Sequence, residues 1–178
     1  ISRFIQNLWR KRDEQIRNLF GYYTNRLIKE LVFLNITKLI IGNNRNQKQE
    51  INLYSKLENR NFCMIPFDKL IGILKYKCEE NGIECMEQEE SYTSKASFLN
   101  NDYIPDYDGE NKKYEFSGWR NRRIYKIKGK EQRIHADLNG AFNIMRKSGN
   151  ELIEKIPNLK NKWIFPIGKF KVNNLNYA

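Results

Sequence analysis

Two short apolar runs, separated by a helical repeat, constrain the fold of this chain more than any other feature. Residues 37–42 and 83–86 are short and apolar, as in buried strands. Between them, apolar residues recur with helical spacing after Pro66, and the pair Asn81-Gly82 predicts the end of that helix. Helices that alternate with strands in this way predict an α/β fold.

The first part of the chain predicts a helical hairpin. Apolar residues recur at helical spacing over residues 1–9 and again over residues 16–31, and the charged run Arg10-Lys11-Arg12 separates the two stretches. Most of the basic side chains fall off the apolar faces, as solvated charges do. Some of these arginines could instead follow a nucleic-acid backbone.

The charge balance favours a nucleic-acid partner. Lys and Arg number 32 against 21 Asp and Glu, which gives a net charge of +11 and an isoelectric point near 9.5. A basic surface attracts polyanions, of which nucleic acid is the leading candidate and an acidic membrane surface the weaker one. A chain of 178 residues can bury one core, so we expect one domain with an inserted lobe.

Other features of the composition narrow the setting. No apolar run approaches the ~20 residues of a membrane span, so no membrane partner is expected. The three cysteines form no C-x-x-C pair, which argues against disulfides and fits a reducing intracellular environment. The first residue is Ile rather than Met, and we therefore expect the chain to be part of a longer protein.

Two glutamates that follow the second predicted strand are the first candidates for chemistry. Glu89 and Glu90 come where the apolar run gives way to a loop, which is where α/β sheets place their sites. Most glutamates on such a chain only aid solubility, so the pair alone is weak evidence. A hydroxyl-rich turn follows the pair and is suited to phosphate. Its candidates for nucleic-acid contact are Tyr92, Thr93, Ser94 and Lys95.

A second acidic candidate, Asp137, opens a predicted helix that ends before Gly149. By pattern alone, an ordinary helix-capping role is the more frequent one for such an aspartate. The positive end of a helix also keeps a carboxylate ionised, so the position is compatible with metal binding. His135 lies two positions earlier. A zinc or general-base role is conceivable, but without a Cys or second His nearby we expect a bystander or a phosphate contact.

Residues 98–134 differ in character from the rest of the chain. They contain proline, glycines and many charges, and predict an inserted lobe with little helix. Its aromatic residues could form a small core under a solvated basic face. Alternatively, its guanidinium groups could contact phosphates and its aromatic rings could stack on unpaired bases. The two interpretations can both be true. The candidates for this contact are Trp119, Arg120, Arg122, Arg123 and Lys126.

Three motifs in this order resemble the C-terminal half of TnpB, a family of transposon-encoded RNA-guided DNA endonucleases. They are EESYTSK at 89–95, FSGWR at 116–120 and HADLNGAFNI at 135–144. The Fanzor proteins of eukaryotes and giant viruses share the pattern, and both groups are related to type V CRISPR effectors. The resemblance covers roughly residues 10–148, and three motifs in order are more specific than any one.

The resemblance implies an RNase H-like RuvC nuclease domain, lacking its first strands in this chain, with a small inserted lobe that binds target nucleic acid. Many relatives carry a zinc ribbon in this lobe, but here the lobe has no cysteine and Ser97 stands where the first would fall. No structural zinc is therefore expected. The predicted division is 1–97 for the RuvC-like part, 98–134 for the lobe, 135–149 for the final RuvC helix and 150–178 for the tail.

The resemblance also implies an Asp–Glu–Asp site that holds two Mg²⁺ ions. Its last aspartate matches Asp137. Its glutamate commonly follows the earlier strand, where this sequence has Gly42 and Asn43. In some members the glutamate precedes the Tyr-Thr-Ser motif, and Glu90 fits that place, with Glu89 as second choice. The first aspartate belongs to an earlier strand and has no candidate in these residues.

Together these features predict a Mg²⁺-dependent, RNA-guided DNA endonuclease with guide RNA and target DNA as partners. An RNA-guided DNA-binding protein without cleavage is the alternative, because Gly42 and Asn43 stand at the usual glutamate position. A third possibility is a transposase or recombinase that acts without RNA. We expect an intracellular location, in the nucleus for a eukaryotic or viral protein and in the cytoplasm for a prokaryotic one.

Overall fold

A computed structural model of the chain describes residues 2–43, 63–107, 113–149 and 163–164. The fold is mixed α/β, as predicted, with a two-stranded and a four-stranded sheet in the described ranges. The RNase H-like arrangement stays a prediction. The elements are α1 (Arg3–Phe33), β1 (Lys38–Asn43), α2 (Phe67–Glu80), β2 (Glu84–Glu89), β3 (Gly118–Asn121), β4 (Ile124–Ile127), β5 (Arg133–His135), α3 (Ala136–Lys147) and β6 (Trp163–Ile164).

The chain divides into two compact units, unit 1 with residues 1–87 and unit 2 with residues 88–178. This boundary differs by ten positions from the predicted end of the RuvC-like part at residue 97. The predicted division into functional parts stays a prediction. The sequence also predicts a short helix over residues 151–156, which lies outside the described ranges. The polar stretch 43–61, which suits an ordered loop or nucleic-acid contact and equally a flexible connection, lies outside them from residue 44 on.

α1 is one helix of 31 residues, so the predicted hairpin was wrong. The charged run Arg10-Lys11-Arg12, which was expected to separate two helices, is followed directly by Asp, Glu and Gln. Most of these residues favour helix, and the run contains no Gly or Pro that would break one. The helix ends at Phe33, and Asn35 just beyond it has a φ of 54°, the left-handed conformation that asparagine tolerates better than most residues.

In unit 1, β1 and β2 form the two-stranded sheet, and α2 lies between them in the chain. The Glu84 amide N–H donates to the Thr37 carbonyl at 2.9 Å, and Lys38 pairs with Glu84 at 3.0 Å. Because these contacts join the starts of both strands, the strands run in the same direction. α2 has the predicted limits, since it follows Pro66 and ends before Gly82, whose φ is 67°.

The core of unit 1 is small and lies under α1 and α2. Its buried residues are Ile28, Cys78 and Ile83, with Leu31, Leu39 and Cys85 packed against them. Burial raises the pKa of the Cys78 thiol to about 11, so the thiol is protonated at neutral pH. None of the helices in the described ranges has both the length and the apolar character needed to cross a membrane.

In unit 2, the sheet has the order β3-β4-β5-β6. β3 and β4 form an antiparallel hairpin, β5 pairs antiparallel with β4, and β6 pairs parallel with β5. The lobe has little helix, as predicted, because its described parts contain only strands and turns. The core of unit 2 lies between one face of the sheet, α3 and Leu99 of the turn that precedes β3. Its other residues are Tyr125, Ile127, Ile134, Ala136, Leu138 and Phe142.

Candidate functional site

A tight turn follows β2 and fixes the position of Glu90. The Glu90 carbonyl accepts hydrogen bonds from the Thr93 amide at 3.2 Å and from the Thr93 hydroxyl at 2.7 Å. Tyr92, inside the turn, has a φ of 62°, which is unfavourable for a residue with a side chain. Its ring packs edge-on against Tyr114 with centroids 5.0 Å apart, and this contact offsets part of the cost.

The four predicted contact residues of this turn have different environments. Thr93 is buried, with 3% of its surface exposed, and its hydroxyl closes the turn. Its burial corrects the prediction that Thr93 contacts nucleic acid. Ser94 and Lys95 are exposed, and the Lys95 ammonium lies 5.6 Å from the centre of the Tyr92 ring. For Ser94, Lys95 and the half-buried Tyr92, contact with nucleic acid stays a prediction.

Glu89 is held by neighbours within unit 2. Its carboxylate accepts hydrogen bonds from the Lys147 ammonium and, at 2.6 Å, from the Ser91 amide. Burial pushes the pKa of Glu89 upward, but the hydrogen bonds from Lys147 and Ser91 outweigh it and leave the pKa below its ordinary value. The side chain of Lys147 is only 7% exposed and is also paired with Asp106 at 3.0 Å. Glu89 is therefore part of a structural ion-pair group.

Glu90, next to it, is half-buried and has a different environment. Burial raises the pKa of its carboxyl, and the negative charge of Glu89 raises it further. Within the described part of the chain, its carboxylate has no hydrogen-bond or ion-pair partner. A half-buried carboxylate without a cation is a candidate ligand for one.

Asp137 lies in the first turn of α3. His135 is the residue that caps this helix, because its Nδ1 accepts the Asp137 amide N–H at 3.3 Å. The capping role considered for Asp137 thus belongs to His135, and the Asp137 carboxylate is left 68% exposed. It accepts one hydrogen bond from Arg120 Nη2 at 3.1 Å.

The structure brings Asp137 to Arg120 and His135, and Glu90 to Glu89, but no described contact joins Glu90 to Asp137. In the ranges that the structure describes, no group of three or more His, Cys, Asp or Glu residues is placed to hold a metal ion. By their chemistry both residues fit Mg²⁺, which prefers carboxylate oxygens. The shared metal site stays a prediction.

Two asparagines of α3 hold the segment that follows the turn, and the sequence analysis missed them. Asn139 donates to the Ala96 carbonyl at 2.8 Å and accepts the Phe98 amide at 3.0 Å. Asn143, one helical turn later, donates to the carbonyls of Thr93 and Ala96, each at 2.8 Å. Both side chains are fully buried. The sequence signal for this role was the presence of two polar residues, four positions apart, on the inner side of an amphipathic helix.

In the lobe where a zinc ribbon was considered, a carboxylate links the residue just before the lobe to the residue just before β3. Asp102 Oδ2 accepts the amide N–H of Ser97 at 2.8 Å and that of Ser117 at 2.9 Å. Asn100 adds a bond from its side-chain amide to the Ser117 hydroxyl at 2.9 Å. These bonds connect strand-free segments that are distant in sequence, as a metal ion would. The sequence analysis did not identify Asp102.

The outward face of the β3–β4–β5 sheet, which we call the outer face, combines one aromatic ring with cations. Trp119 pairs with Lys126, and Lys126 pairs with Arg133, so the three lie in register on one face. Trp119 is 47% exposed. A groove of about 690 Å³ opens here, lined by Asn121, Arg122, Arg123, Ile124, Lys126 and Arg133. Such a face suits phosphates and an unpaired base.

The turn of the β3–β4 hairpin presents two of these arginines. Arg122 and Arg123 form its two-residue loop, and Arg122 has a φ of 53°. Asn or Gly adopts this conformation at lower cost, so an arginine here is unfavourable for the hairpin itself. Both arginines are exposed. Strained residues of this kind cluster at binding sites, which favours a contact role for the turn.

Known proteins of one family type are similar to this chain. Residues 67–144 match a family model described as Cas12f1-like, TNB domain. The chain is also 28% identical, over 151 residues, to a TnpB-like protein, ORF457, of Acidianus two-tailed virus. This alignment covers 85% of the chain but 29% of the viral protein. Both findings support a TnpB/Cas12f-type family, which is the family that the motifs predicted. The matched segment contains Glu90, Asp137 and the outer face.

Proposed function

We propose that this chain is the part of an RNA-guided DNA endonuclease that binds target nucleic acid and supplies two carboxylates to a RuvC-type site. The observation that carries the proposal is the match of residues 67–144, because this one segment contains both candidate carboxylates and the outer face. The TnpB-like family is one of RNA-guided nuclease-type proteins in general. The chain spans 29% of its TnpB-like relative, so the activity of the whole protein is part of the proposal.

The outer face would bind the nucleic acid. Trp119 is exposed enough to stack on an unpaired base, and Lys126 and Arg133 follow it in register on the next two strands, all on one side of it. Arg122 and Arg123 extend the cationic surface at the hairpin turn. The guide RNA would select the target by base pairing, so this face needs to recognise only backbone and base planes.

Glu90 and Asp137 are the residues of this chain that would hold the two Mg²⁺ ions. When bound, such ions activate water and stabilise the leaving 3′ oxygen in phosphodiester hydrolysis. Glu90 suits this role because the turn fixes its backbone and its carboxylate has no partner in the described part of the chain, whereas Glu89 is already paired with Lys147. The pairing of Glu89 thus favours Glu90 in the choice between the two that the sequence left open.

A DNA-binding protein without cleavage is the second candidate, and one observation favours it. Asn43 occupies the place of the usual glutamate at the end of β1, and its amide donates to the Glu87 carboxylate at 2.5 Å. This contact gives the amide a structural role. If Glu90 does not replace the glutamate that is missing at this place, the protein would bind DNA without cleaving it.

Cleavage of target DNA by the protein with its guide RNA, in Mg²⁺, tests the proposal. Asp137→Asn and Glu90→Gln should each lower the rate at least about 100-fold, because even outer-shell partners of a metal site typically contribute 10–100-fold. Glu115→Gln is the control, because it removes an exposed carboxylate of the inserted lobe that has no proposed role in the metal site. It should not change the rate.

The other outcomes separate the alternatives. Guide-dependent binding by the wild type without cleavage would support the DNA-binding protein. Activity that survives ribonuclease treatment would support an RNA-independent recombinase. Cleavage at the wild-type rate by both Glu89→Gln and Glu90→Gln would contradict the assignment of the glutamate ligand.

A further inference from the structure

The outer face contains two rows of residues that differ in chemistry. The first row includes Trp119 and Lys126, which pair across the β3–β4 hairpin. Asn121 and Ile124 also pair there, two positions further along each strand. Because side chains two positions apart on a strand lie on the same face, this second row belongs to the outer face as well. The first row is aromatic and cationic, whereas the second offers a neutral amide and an apolar side chain.

The groove of about 690 Å³ on this face has cations on both sides of the second row. Arg122 and Arg123 border it at the hairpin turn, and Lys126 and Arg133 border it in the first row. Ile124 lies between these cations and is half-buried, so its exposed part forms an apolar floor. A nucleotide has the same order of groups, because a charged phosphate lies at one end and the polar edge of its flat base at the other.

The hydrogen-bonding groups of this groove favour guanine. Of the six described residues that line it, four carry cationic donors and Asn121 supplies the side-chain acceptor. Within the described part of the chain, the Asn121 side chain has no hydrogen-bond partner. Guanine presents the acceptors O6 and N7 side by side, with N–H donors next to O6. Adenine has an amino donor in place of O6, which a cation does not accept.

Arg122 is the arginine best suited to contact this edge. Its φ of 53° is unfavourable for a residue with a side chain, and asparagine or glycine would adopt it at lower cost. Arg120 lies on the inner face, because it pairs with the buried Tyr125, and its Nε donates to the Arg122 carbonyl at 2.9 Å. This bond helps to hold the turn. Strain that a fold retains indicates a function for the side chain, and a guanidinium can donate two parallel bonds to O6 and N7.

We propose that the groove is a guanine site of the outer face. A guanine of single-stranded nucleic acid lies on Ile124, accepts hydrogen bonds from Arg122 at O6 and N7, and donates to the Asn121 amide oxygen. Its phosphate lies at Lys126 and Arg133. The site rests on the proposed function, because it takes the outer face as the surface that binds nucleic acid. It adds selectivity for one base, whereas the proposed function needs only contacts to backbone and base planes.

Fluorescence anisotropy with labelled thymidine oligonucleotides of about ten nucleotides measures this selectivity, since one single-strand-binding domain covers ~4–16 nucleotides. One central thymidine is replaced by guanine, adenine or cytosine. Wild type should bind the guanine oligonucleotide about fivefold more tightly than the other three, the lower end of the discrimination by one bidentate contact. A 7-deazaguanine, which stacks similarly but lacks N7, should lose most of this preference. Equal affinity for all four bases, or for guanine and 7-deazaguanine, would overturn the inference.

Variants of the turn test which side chains contact the base. Arg122→Gln and Asn121→Ala should each bring the affinity for the guanine oligonucleotide close to that for the adenine one. Arg123→Gln is the matched control, because it removes the same charge from the same turn, and it should keep the wild-type preference while binding all oligonucleotides more weakly. Equal loss of preference in Arg122→Gln and Arg123→Gln would contradict the assigned contact. Binding of the all-thymidine oligonucleotide shows that each variant is folded, and the deazaguanine comparison needs no variant.

Lys126→Gln separates this inference from the proposed function. If it weakens binding of all oligonucleotides no more than Lys69→Gln, a change of an exposed lysine of α2, then the outer face is wrong and the guanine site fails with it. If Lys126→Gln weakens binding but wild type binds the four bases equally, the face stands and only the guanine site is wrong. The same series in RNA identifies the source of the guanine. A larger preference in DNA assigns it to the target strand and a larger preference in RNA to the guide, and either result supports the site.

Discussion

Glu89 and Glu90 are adjacent in the chain, but unit 2 stabilises only one of the two charges. Lys147 is nearly buried and would be costly to leave unpaired, and Glu89 and Asp106 supply its counter-charges. Burial raises the pKa of Glu90, the charge of Glu89 raises it further, and no cation pairs with Glu90 in the described part of the chain. An unpaired charge of this kind lowers the stability of the fold. Such costs are common at metal ligands and catalytic carboxylates.

Substitution of the two glutamates should change stability in opposite directions. At pH 7, Glu89→Gln should lower the free energy of unfolding by about 1 kcal/mol, a small value because the Glu89 side chain is 41% exposed and solvent screens the pair. Glu90→Gln should leave it unchanged or raise it, because an unpaired charge is removed. Urea denaturation of both variants measures the two effects.

The pH dependence of these variants provides the control. The folded-state pKa of Glu89 is lowered, so its stabilisation is present above the ordinary value of 4.5 and lost as the pH falls through the folded pKa. The pKa of Glu90 is raised, so the stability linked to its protonated form is present at low pH and lost as the pH rises through the folded pKa. A larger loss of stability in Glu90→Gln than in Glu89→Gln would contradict this reading.

At the scale of elements, the β3–β4 hairpin depends on close approach at Gly118. A side-chain carbon there would lie 2.6 Å from the ring of Tyr125 and would also meet the Lys126 carbonyl. Gly118→Ala should therefore destabilise the protein by about 1–3 kcal/mol, the usual cost of overpacking. Gly140→Ala is the matched control, because Gly140 lies in α3 with open space around it, and it should gain up to about 1 kcal/mol. Similar effects of both substitutions in thermal denaturation would contradict the packing at β3.

The lobe should be stabilised by Asp102 and not by a metal ion. Asp102→Ala leaves the amide groups of Ser97 and Ser117 without their acceptor, and each lost bond of a buried group costs about 1–3 kcal/mol. The variant should melt at a lower temperature than wild type. A chelator such as EDTA should leave the melting temperature of the wild type unchanged, and a decrease would show that a structural metal is present after all.

At the scale of the whole molecule, the sequence predicted those features that depend on neighbouring residues. Pro66 and the pair Asn81-Gly82 set the limits of α2, because helix starts and stops are local signals. The hairpin predicted at the N-terminus was wrong, because a run of charges was read as a break although it favours helix.

Features that depend on distant residues were not predictable from local patterns. Asp102 contacts Ser117 across 15 positions, and Arg120 contacts Asp137 across 17. The contact of Arg120 depends on the register of the β3–β4 hairpin, and a shift of one residue would move Arg120 to the outer face. The candidate residues could be listed from the sequence, but their division between two faces required the strand pairing.

The net charge of +11 predicts salt-dependent binding to any nucleic acid, and the outer face makes a sharper prediction. For a single-stranded oligonucleotide, Lys126→Gln and Arg123→Gln should each weaken binding and reduce the slope of log affinity against log salt by about 0.7, the value for one phosphate contact. Trp119→Ala should cost about 1–3 kcal/mol of binding energy and leave the slope unchanged, because stacking involves no counterion. Lys69→Gln, an exposed lysine of α2, is the control for charge alone. If it reduces the slope as much as Lys126→Gln does, the nucleic acid responds to the overall charge and not to this face.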